Sequence, residues 1–505
     1  MSGIDLVNLL PLGVLAAFSL LVMLAAAFTR KLAVCFWITL VGLLVAFATV
    51  LFAWKEGPAA PGALLIFDRF VLFGLLLLIG ATIFAAISSW SYLRGRDDEG
   101  GDFFFLLLLS ALGACILAAA NSFATFFLGL ELMSVALYAM IGWRRERAPS
   151  TEAAIKYLIL AGASSAFLLF GMALIYADTG NMILAQLATA GSDQGVLTKV
   201  GLAMMLVGIG FKLAIVPFHL WTPDVYDGAP APVTGFVATV SKGAMVVVLA
   251  RSFAPALLGP GGGLVVSGSG TLPAFPLVFA LIAGLSMFGG NILALRESNV
   301  KRILAYSSIA HLGYVLVAFL AGGGEALRAI AFYLVAYFAT MLGAFAVIGE
   351  LSTPQRDADT LDDYSGLAAR RPWLAAALTA MLLSLAGLPL TAGFVGKFII
   401  LRAGAGAELW VLAVILAVNG TISIFYYLKI VSAMFRGLAD AHATEGAPAR
   451  MPQPRQEREG AAAAALRAPF LAALALAVLT LGIVALGVYP SPVLSFIGSF
   501  TVGGL

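Results

Sequence analysis

Long apolar runs, each roughly 18 to 25 residues and recurring from one end of the chain to the other, leave one kind of fold open. A helix of that length crosses the ~30 Å hydrocarbon core of a bilayer. About fourteen such runs lie near residues 6–28, 32–54, 70–93, 103–120, 122–143, 154–176, 200–220, 230–253, 274–296, 301–321, 327–350, 373–400, 405–435 and 468–489. Alternating segments of the kind that build an outer-membrane barrel are missing, and a backbone without water must satisfy its own polar groups, so the expectation is an all-α, polytopic membrane bundle. Charged residues make up only 11% of the 505, against 62% hydrophobic, too little polar surface to cover a water-soluble domain.

Other readings drop out early. The start "MSGIDLVNLLPLGVLAAF" has no basic leading region and no small-residue cleavage site, so it reads as a retained first span. Cys35 and Cys115 fall in separate runs without a Cys-x-x-Cys partner, which argues against a disulfide framework, an iron–sulfur cluster or a haem attachment site. Phosphate-binding loops, dinucleotide fingerprints and His-Glu-x-x-His are absent from the sequence, and the basic residues form no nucleic-acid face.

The basic residues follow loop parity instead. Loops after odd-numbered spans hold eighteen of the 29 Lys and Arg, among them Arg144, Arg147, Lys301 and Arg302, whereas loops after even-numbered spans hold six. Short cytoplasmic loops accumulate Lys and Arg, so both termini are expected on the non-cytoplasmic side. Polar linkers occur at 93–102, 352–372 and 437–460, the last with a disordered composition, and a Gly/Ser-rich stretch at 259–273 falls between two blocks of about five spans. The expected organisation is three N-terminal spans over 1–100, five-helix units over 101–256 and 272–436, a linker at 437–467, and a last span in 468–505.

Spans 7 and 12, five apart, each combine a mid-span proline with a lysine: "GIGFKLAIVPFH" and "LSLAGLPLTAGFVGKFII". Proline removes a helical hydrogen bond and clashes with the carbonyl four residues back, so Pro217 and Pro389 are expected to break their helices, with Gly387 and Gly393 assisting in span 12. Non-helical backbone at membrane depth survives only inside protein or beside water, and inverted-repeat transporters place such breaks at matching positions in their two halves.

Five lysines fall inside spans: Lys156, Lys212, Lys242, Lys397 and Lys429, joined by the mid-span acid Glu131. A charge at a helix centre costs about 2.5 to 3.5 kcal/mol on insertion scales, so these groups are expected to face the bundle interior. Burial favours a neutral amine and a nearby carboxylate favours the ammonium; a group balanced between the two can load and release protons. Glu131 is the expected switch, pairing alternately with Lys212 and Lys156. Lys429, near a basic span end, fits a snorkelling side chain equally well. His311, beside Ser307 and Ser308, is a candidate relay, whereas His219 fits a structural role better and His442 has no assigned role.

The segments "GFKLAIVPFHLWTPDVYDGAPAPVTGFVATVSK", "LGLELMSVALYAMIGW", "NILALRESNVKRILAYSSIAHLGYVLV" and "LAGLPLTAGFVGKFIIL" resemble the antiporter-like membrane subunits of respiratory complex I, the proton-pumping NADH:quinone oxidoreductase, over about residues 100 to 435. "HLWTPDVYDGAPAPV" and Lys397 resemble the bacterial N-type rather than the M- or L-type, and the mitochondrial second NADH dehydrogenase subunit is homologous. The resemblance implies two inverted five-helix repeats, spans 4–8 and 9–13, with Glu131 and Lys212 as an input pair beside Lys156, Lys242 connecting the halves, and Lys397 exchanging protons with the outer side. It further implies that the chain holds no redox cofactor, that NADH, FMN, iron–sulfur clusters and quinone belong to partner subunits, and that M-type and small K-type subunits are neighbours in the bacterial inner membrane. A subunit of a Mrp-type cation/proton antiporter is the alternative within the class. A carrier of an organic solute and a structural anchor are the alternatives outside it.

Overall fold

The structure, a computed structural model, describes residues 3–29, 31–96, 100–184, 195–253, 274–436 and 470–501. Among them the backbone is helical apart from turns and four isolated bridge pairs. The polar linker, with His442, and the Gly/Ser-rich stretch at 259–273 lie outside the described residues.

Six helices come first: α1 (Gly3–Thr29), α2 (Leu32–Glu56), α3 (Arg69–Leu93), α4 (Asp102–Ala118), α5 (Phe123–Ile141) and α6 (Ala148–Thr179). Then come α7 (Val196–Leu213), the short α8 (Trp221–Gly228) and α9 (Ala231–Ser252), the last containing a π-helical turn at Val237–Ser241. The second half holds α10 (Ala274–Arg296), α11 (Val300–Ala321), α12 (Gly323–Leu351), α13 (Pro372–Ala386), α14 (Ala392–Gly406) and α15 (Trp410–Phe435). The chain closes with α16 (Phe470–Val488) and α17 (Ser491–Thr501).

Twelve of these helices are long and apolar enough to span a bilayer among the described residues. Adding the shorter α4 and the split rod α13–α14 gives the fourteen crossings expected from the sequence. Their starts and ends shift by a few residues: α7 begins at Val196, and α12 begins at Gly323.

Sequential helices pack as hairpins, α4 on α5, α6 on α7 and α10 on α11. The middle of the bundle is made by α9, α11 and α12, which are buried almost throughout, whereas α1, α6 and α16 leave broad apolar faces such as Leu158, Ile159 and Phe170 open to their surroundings. That gradient suits a lipid solvent, in which an exposed leucine costs nothing and an exposed peptide group costs several kcal/mol.

Both expected breaks are present. α7 ends at Leu213, where Ala214 takes a left-handed conformation (φ 59°), and the chain passes Pro217 before α8 begins. Two donors repair the exposed backbone: the Trp221 indole N–H reaches back to the Phe211 carbonyl at 3.0 Å, and the Val216 amide donates to Ser286 Oγ of α10 at 3.0 Å. The second break runs from Gly387 (φ 81°) through Pro389 to Leu390 (φ 69°). Gly393 is required by close approach, since a Cβ there would lie 1.8 Å from the Ser384 carbonyl oxygen.

Candidate functional site

Lys212 occupies the last turn of α7, at the severed end. A helix C-terminus carries partial negative charge from unpaired carbonyls, so a cation is favoured there. The ammonium is buried and donates to Ser134 Oγ of α5 at 3.0 Å and to Tyr157 Oη of α6 at 3.2 Å. Beside it lies a cavity of about 10 Å3, lined by Ser134, Ser164, Ser165, Gly208 and Lys212, at the threshold for one water molecule.

Lys242 follows the π-helical turn of α9 and points to α11, donating to Ser308 Oγ at 2.8 Å with the Tyr226 ring 5.4 Å away. His311, one turn further along α11, is held at both nitrogens: Tyr333 Oη lies 2.6 Å from Nδ1 and Tyr427 Oη lies 3.1 Å from Nε2, and Tyr427 pairs in turn with Ser307. His311 and Lys242 line one small cavity, and the Tyr314 ring lies 5.4 Å from the His311 ring and 5.1 Å from the Lys397 ammonium.

Lys397 belongs to α14 but bonds to α13. Its ammonium donates to the carbonyls of Leu385 at 2.8 Å and Ala386 at 2.9 Å, the last two residues of the preceding half-helix, and lies 5.1 Å from the Tyr314 ring. A side chain at residue 387 would collide with it, because a Cβ there would be 2.8 Å from Lys397 Cδ. The break thus positions Lys397, and Lys397 satisfies the break.

Two expected contacts differ in this structure. Glu131, half-buried on α5, accepts from the Ser165 hydroxyl of α6, and no ion pair joins it to Lys212. Ser134, one turn along from Glu131, occupies the ammonium's side instead. The Lys156 ammonium bonds elsewhere: its side chain is 43% exposed and takes Asp224 of α8 at 2.7 Å and Glu152 at 2.6 Å. Asp224 also takes Arg302 at 2.8 Å, and Arg302 takes Glu297 at 3.2 Å, so Lys156 belongs to a string of alternating charges at one end of the bundle. Lys429 donates to the Glu297 carbonyl at 2.7 Å at that same end, and His219 is half-buried in the α7–α8 turn.

A further buried ion cluster was not foreseen. Asp357, in the 352–372 linker, is fully buried and takes Lys301 of α11 at 3.0 Å, Arg147 at 3.4 Å and the Tyr92 hydroxyl of α3 at 2.7 Å. Burial by itself would raise the carboxyl, but the Lys301 charge, the Tyr92 hydrogen bond and Arg147 hold it down to about 2. Lys301, equally buried, also caps α8 by donating to the carbonyls of Asp227 at 2.7 Å and Ala229 at 2.9 Å. The cluster ties helices from both halves to the lower segment of the broken rod α7–α8. Among the described residues no three His, Cys, Asp or Glu side chains gather as metal ligands, and Cys35 and Cys115 are separate, buried thiols.

Three buried lysines, two of them at helix breaks, in a fourteen-span bundle define a class of membrane subunit, and comparison bears on which one. The family model described as NADH:quinone oxidoreductase/Mrp antiporter, TM matches residues 120–423, and the chain belongs to that family. Within it, NADH-quinone oxidoreductase subunit N of Ectopseudomonas mendocina (strain ymp) is 44% identical over 445 residues, 86% of this chain and 88% of that protein. A chain in the structure of respiratory complex I from Thermus thermophilus with bound aureothin is 32% identical, with a TM-score of 0.77 over 96% of this chain and 98% of that one. A chain of the Mrp complex from Dietzia sp. DQ12-45-1b aligns with a TM-score of 0.80 over 99% and 97% at 21% identity, a likeness of fold alone.

Proposed function

We propose that this membrane subunit of an NADH-quinone oxidoreductase moves protons across the bilayer along the row Glu131, Lys212, Lys242, His311 and Lys397. The observation that carries the reading is the company the three deep lysines keep. Lys212, Lys242 and Lys397 bond only to hydroxyls and carbonyls, and none has a carboxylate within 4.0 Å among the described residues, whereas the equally buried Lys301 has Asp357. A buried ammonium without a counter-ion is held at a cost that a purely structural role does not require, since an apolar residue of similar volume would pack there as well or better. A group that must lose and regain its proton needs neutral neighbours that accept either form.

The residues divide the work. Lys212 ends the first broken helix, Lys242 crosses between the halves by its bond to α11, and His311 hands on through Tyr333 and Tyr427 toward Lys397. Ser165 holds Glu131 within a short step of the small cavity beside Lys212. Moving a charge against ~100 mV costs about 2.3 kcal/mol, which the redox chemistry of NADH, FMN, iron–sulfur clusters and quinone in partner subunits would supply. M-type and K-type subunits are the neighbours consistent with this reading. The basic end, carrying Arg144, Arg147, Lys301 and Arg302, would face the cytoplasm of a bacterial inner membrane, with both termini opposite.

The test is the purified complex in proteoliposomes with Lys212→Ala, Lys242→Ala and Lys397→Ala. Each is expected to lower the number of protons moved per NADH oxidised in complexes that still assemble. An unchanged ratio in all three would leave the lysines as structural. Transport of Na+ or K+ in exchange for protons by the isolated subunit would favour the Mrp-type alternative, which the 21% likeness of fold does not by itself support.

A further inference from the structure

A cleft of about 730 Å3 opens on the outside of the bundle between α1 and α6, with the α4–α5 hairpin as its floor. That volume is within the range of about 300 to 1,000 Å3 usual for small-molecule sites, and no residue of the lysine row lines it. Its rim is polar and stands at helix ends: Asp102 opens α4, Thr151 lies in the first turn of α6, and Trp143 and Arg145 follow the end of α5. Its interior is apolar, with Phe105 and Ala139 on the floor and the exposed side chains of Met23 and Ile155 on the flanks. Met23 and Ile155 lie roughly two turns inside α1 and α6, and so about 10 Å below the rim. A bilayer makes the same change from headgroup to hydrocarbon over a similar depth, and tryptophan is the side chain that favours that level.

The charges at the rim are unspent. The loop after α5 carries Arg144, Arg145 and Arg147, of which Arg144 and Arg147 turn to Asp357 at 3.7 Å and 3.4 Å. Arg145 is exposed and makes no ion pair among the described residues, and the same is true of Asp102. Both line one cleft without pairing with each other. The Thr151 hydroxyl donates to the Arg145 carbonyl at 3.3 Å and so holds the loop at the rim, above Tyr138 on the wall. A cation and an anion at one mouth, each without a partner, over an apolar slot, are the complement of a molecule that carries a phosphate, an amine and hydrocarbon.

We propose that the cleft binds a zwitterionic phospholipid with a primary-amine headgroup, of the phosphatidylethanolamine type. Its phosphate sits on Arg145, its ammonium on Asp102, and an acyl chain lies over Ala139 between Met23 and Ile155. The guanidinium offers phosphate a planar fork of donors. The carboxylate accepts from an ammonium N–H, which a choline headgroup lacks. An anionic headgroup without an amine would satisfy Arg145 and set negative charge against Asp102. The site stands whether or not the lysine row carries protons.

The test places the purified complex in phosphatidylcholine nanodiscs that carry a small fraction of probe lipid with a photoreactive diazirine in its acyl chain, and maps the crosslinked peptides. The probe is phosphatidylethanolamine, phosphatidylglycerol or phosphatidylcholine. The ethanolamine probe is expected to label peptides around Met23, Phe105 and Ile155 about fivefold more than either other probe, the upper end for partly exposed ion pairs. Asp102→Asn is expected to erase its advantage over the choline probe, and Arg145→Gln to lower labelling by the ethanolamine and glycerol probes together. Ala139→Phe fills the floor, leaves both charges, and is expected to abolish labelling of these peptides by all three. Equal labelling by the three probes in the parent overturns the proposal and leaves an apolar surface wetted by bulk lipid. A preference for the glycerol probe overturns it in favour of an anionic lipid. No labelling by any probe shows that a neighbouring subunit covers the cleft, and overturns it as well. The comparison in the parent needs no variant, so it decides even if a substituted chain does not assemble.

Discussion

Replacing Asp357 with asparagine removes a charge from the centre of the buried cluster at the basic end, and the structure sets the scale of the effect. The carboxyl is held at about 2 against an ordinary 3.8, a difference that corresponds to about 2 kcal/mol of stabilisation for the ionised form. Asparagine also leaves Lys301, which is 0% exposed, without a counter-charge, and breaking a buried pair from one side costs about 3 to 5 kcal/mol. Lys301 retains the Asp227 and Ala229 carbonyls, so the lower end applies, about 3 kcal/mol. Thermal unfolding of a multi-subunit assembly is not two-state, so the better assay is hydrogen exchange of peptides covering 221–229 and 352–360 in the purified complex. A loss of about 3 kcal/mol corresponds to roughly 100-fold faster exchange through local opening. Removing both partners with Asp357→Asn and Lys301→Met is expected to recover the protection of 352–360 but not that of 221–229, because the Asp227 and Ala229 carbonyls then lose their donor. The pH dependence has a fixed sign: a depressed carboxyl stabilises fully above pH 3.8 and the contribution is lost as pH falls through about 2, so protection should be flat between pH 5 and 8. Exchange in the Asp357→Asn variant within twofold of the parent would refute the argument that the cluster holds α8.

Other outcomes follow from single contacts. Gly393→Ala would drive a methyl into the Ser384 carbonyl, and the complex is expected to lose the subunit, checked by its presence in purified membranes. Trp221→Phe removes the N–H that closes the α7 break, with an expected loss of about 1 kcal/mol seen as faster exchange around 211–216. Asp224→Asn touches only partly exposed partners, so its effect on stability is expected to stay under about 1 kcal/mol, measurable in the same exchange experiment. Ser165→Ala frees the Glu131 carboxylate and is expected to slow proton translocation while electron transfer in uncoupled vesicles is retained.

What the sequence made legible was whatever a local pattern encodes. Fourteen apolar runs gave fourteen crossings, and Pro217 and Pro389 marked both broken rods because proline acts on the turn that contains it. Lys212, Lys242 and Lys397 stood out because a lysine inside an apolar run has no local excuse. Pairings across long separations left no such trace. Lys156 finds Asp224 68 residues away. Lys301 counted only toward loop charge, yet it is fully buried, and its partner Asp357 was one of several acids in a linker that reads as solvated. Glu131 was expected against Lys212, but serines at positions 134 and 165 stand on either side of that gap. Small hydroxyl residues in a helix give no signal from sequence about which neighbour they will serve.

The ammonium of Lys397 fastens two severed half-helices through the carbonyls of Leu385 and Ala386. In the proposed relay, a proton leaving that nitrogen would take with it the charge that steadies the end of α13, which would tie protonation to the angle of the break. On the proposed path, electrical work done at a single atom would become leverage on a rod that crosses the membrane, and a push on that rod from a neighbouring subunit would be felt in return as a change in proton affinity.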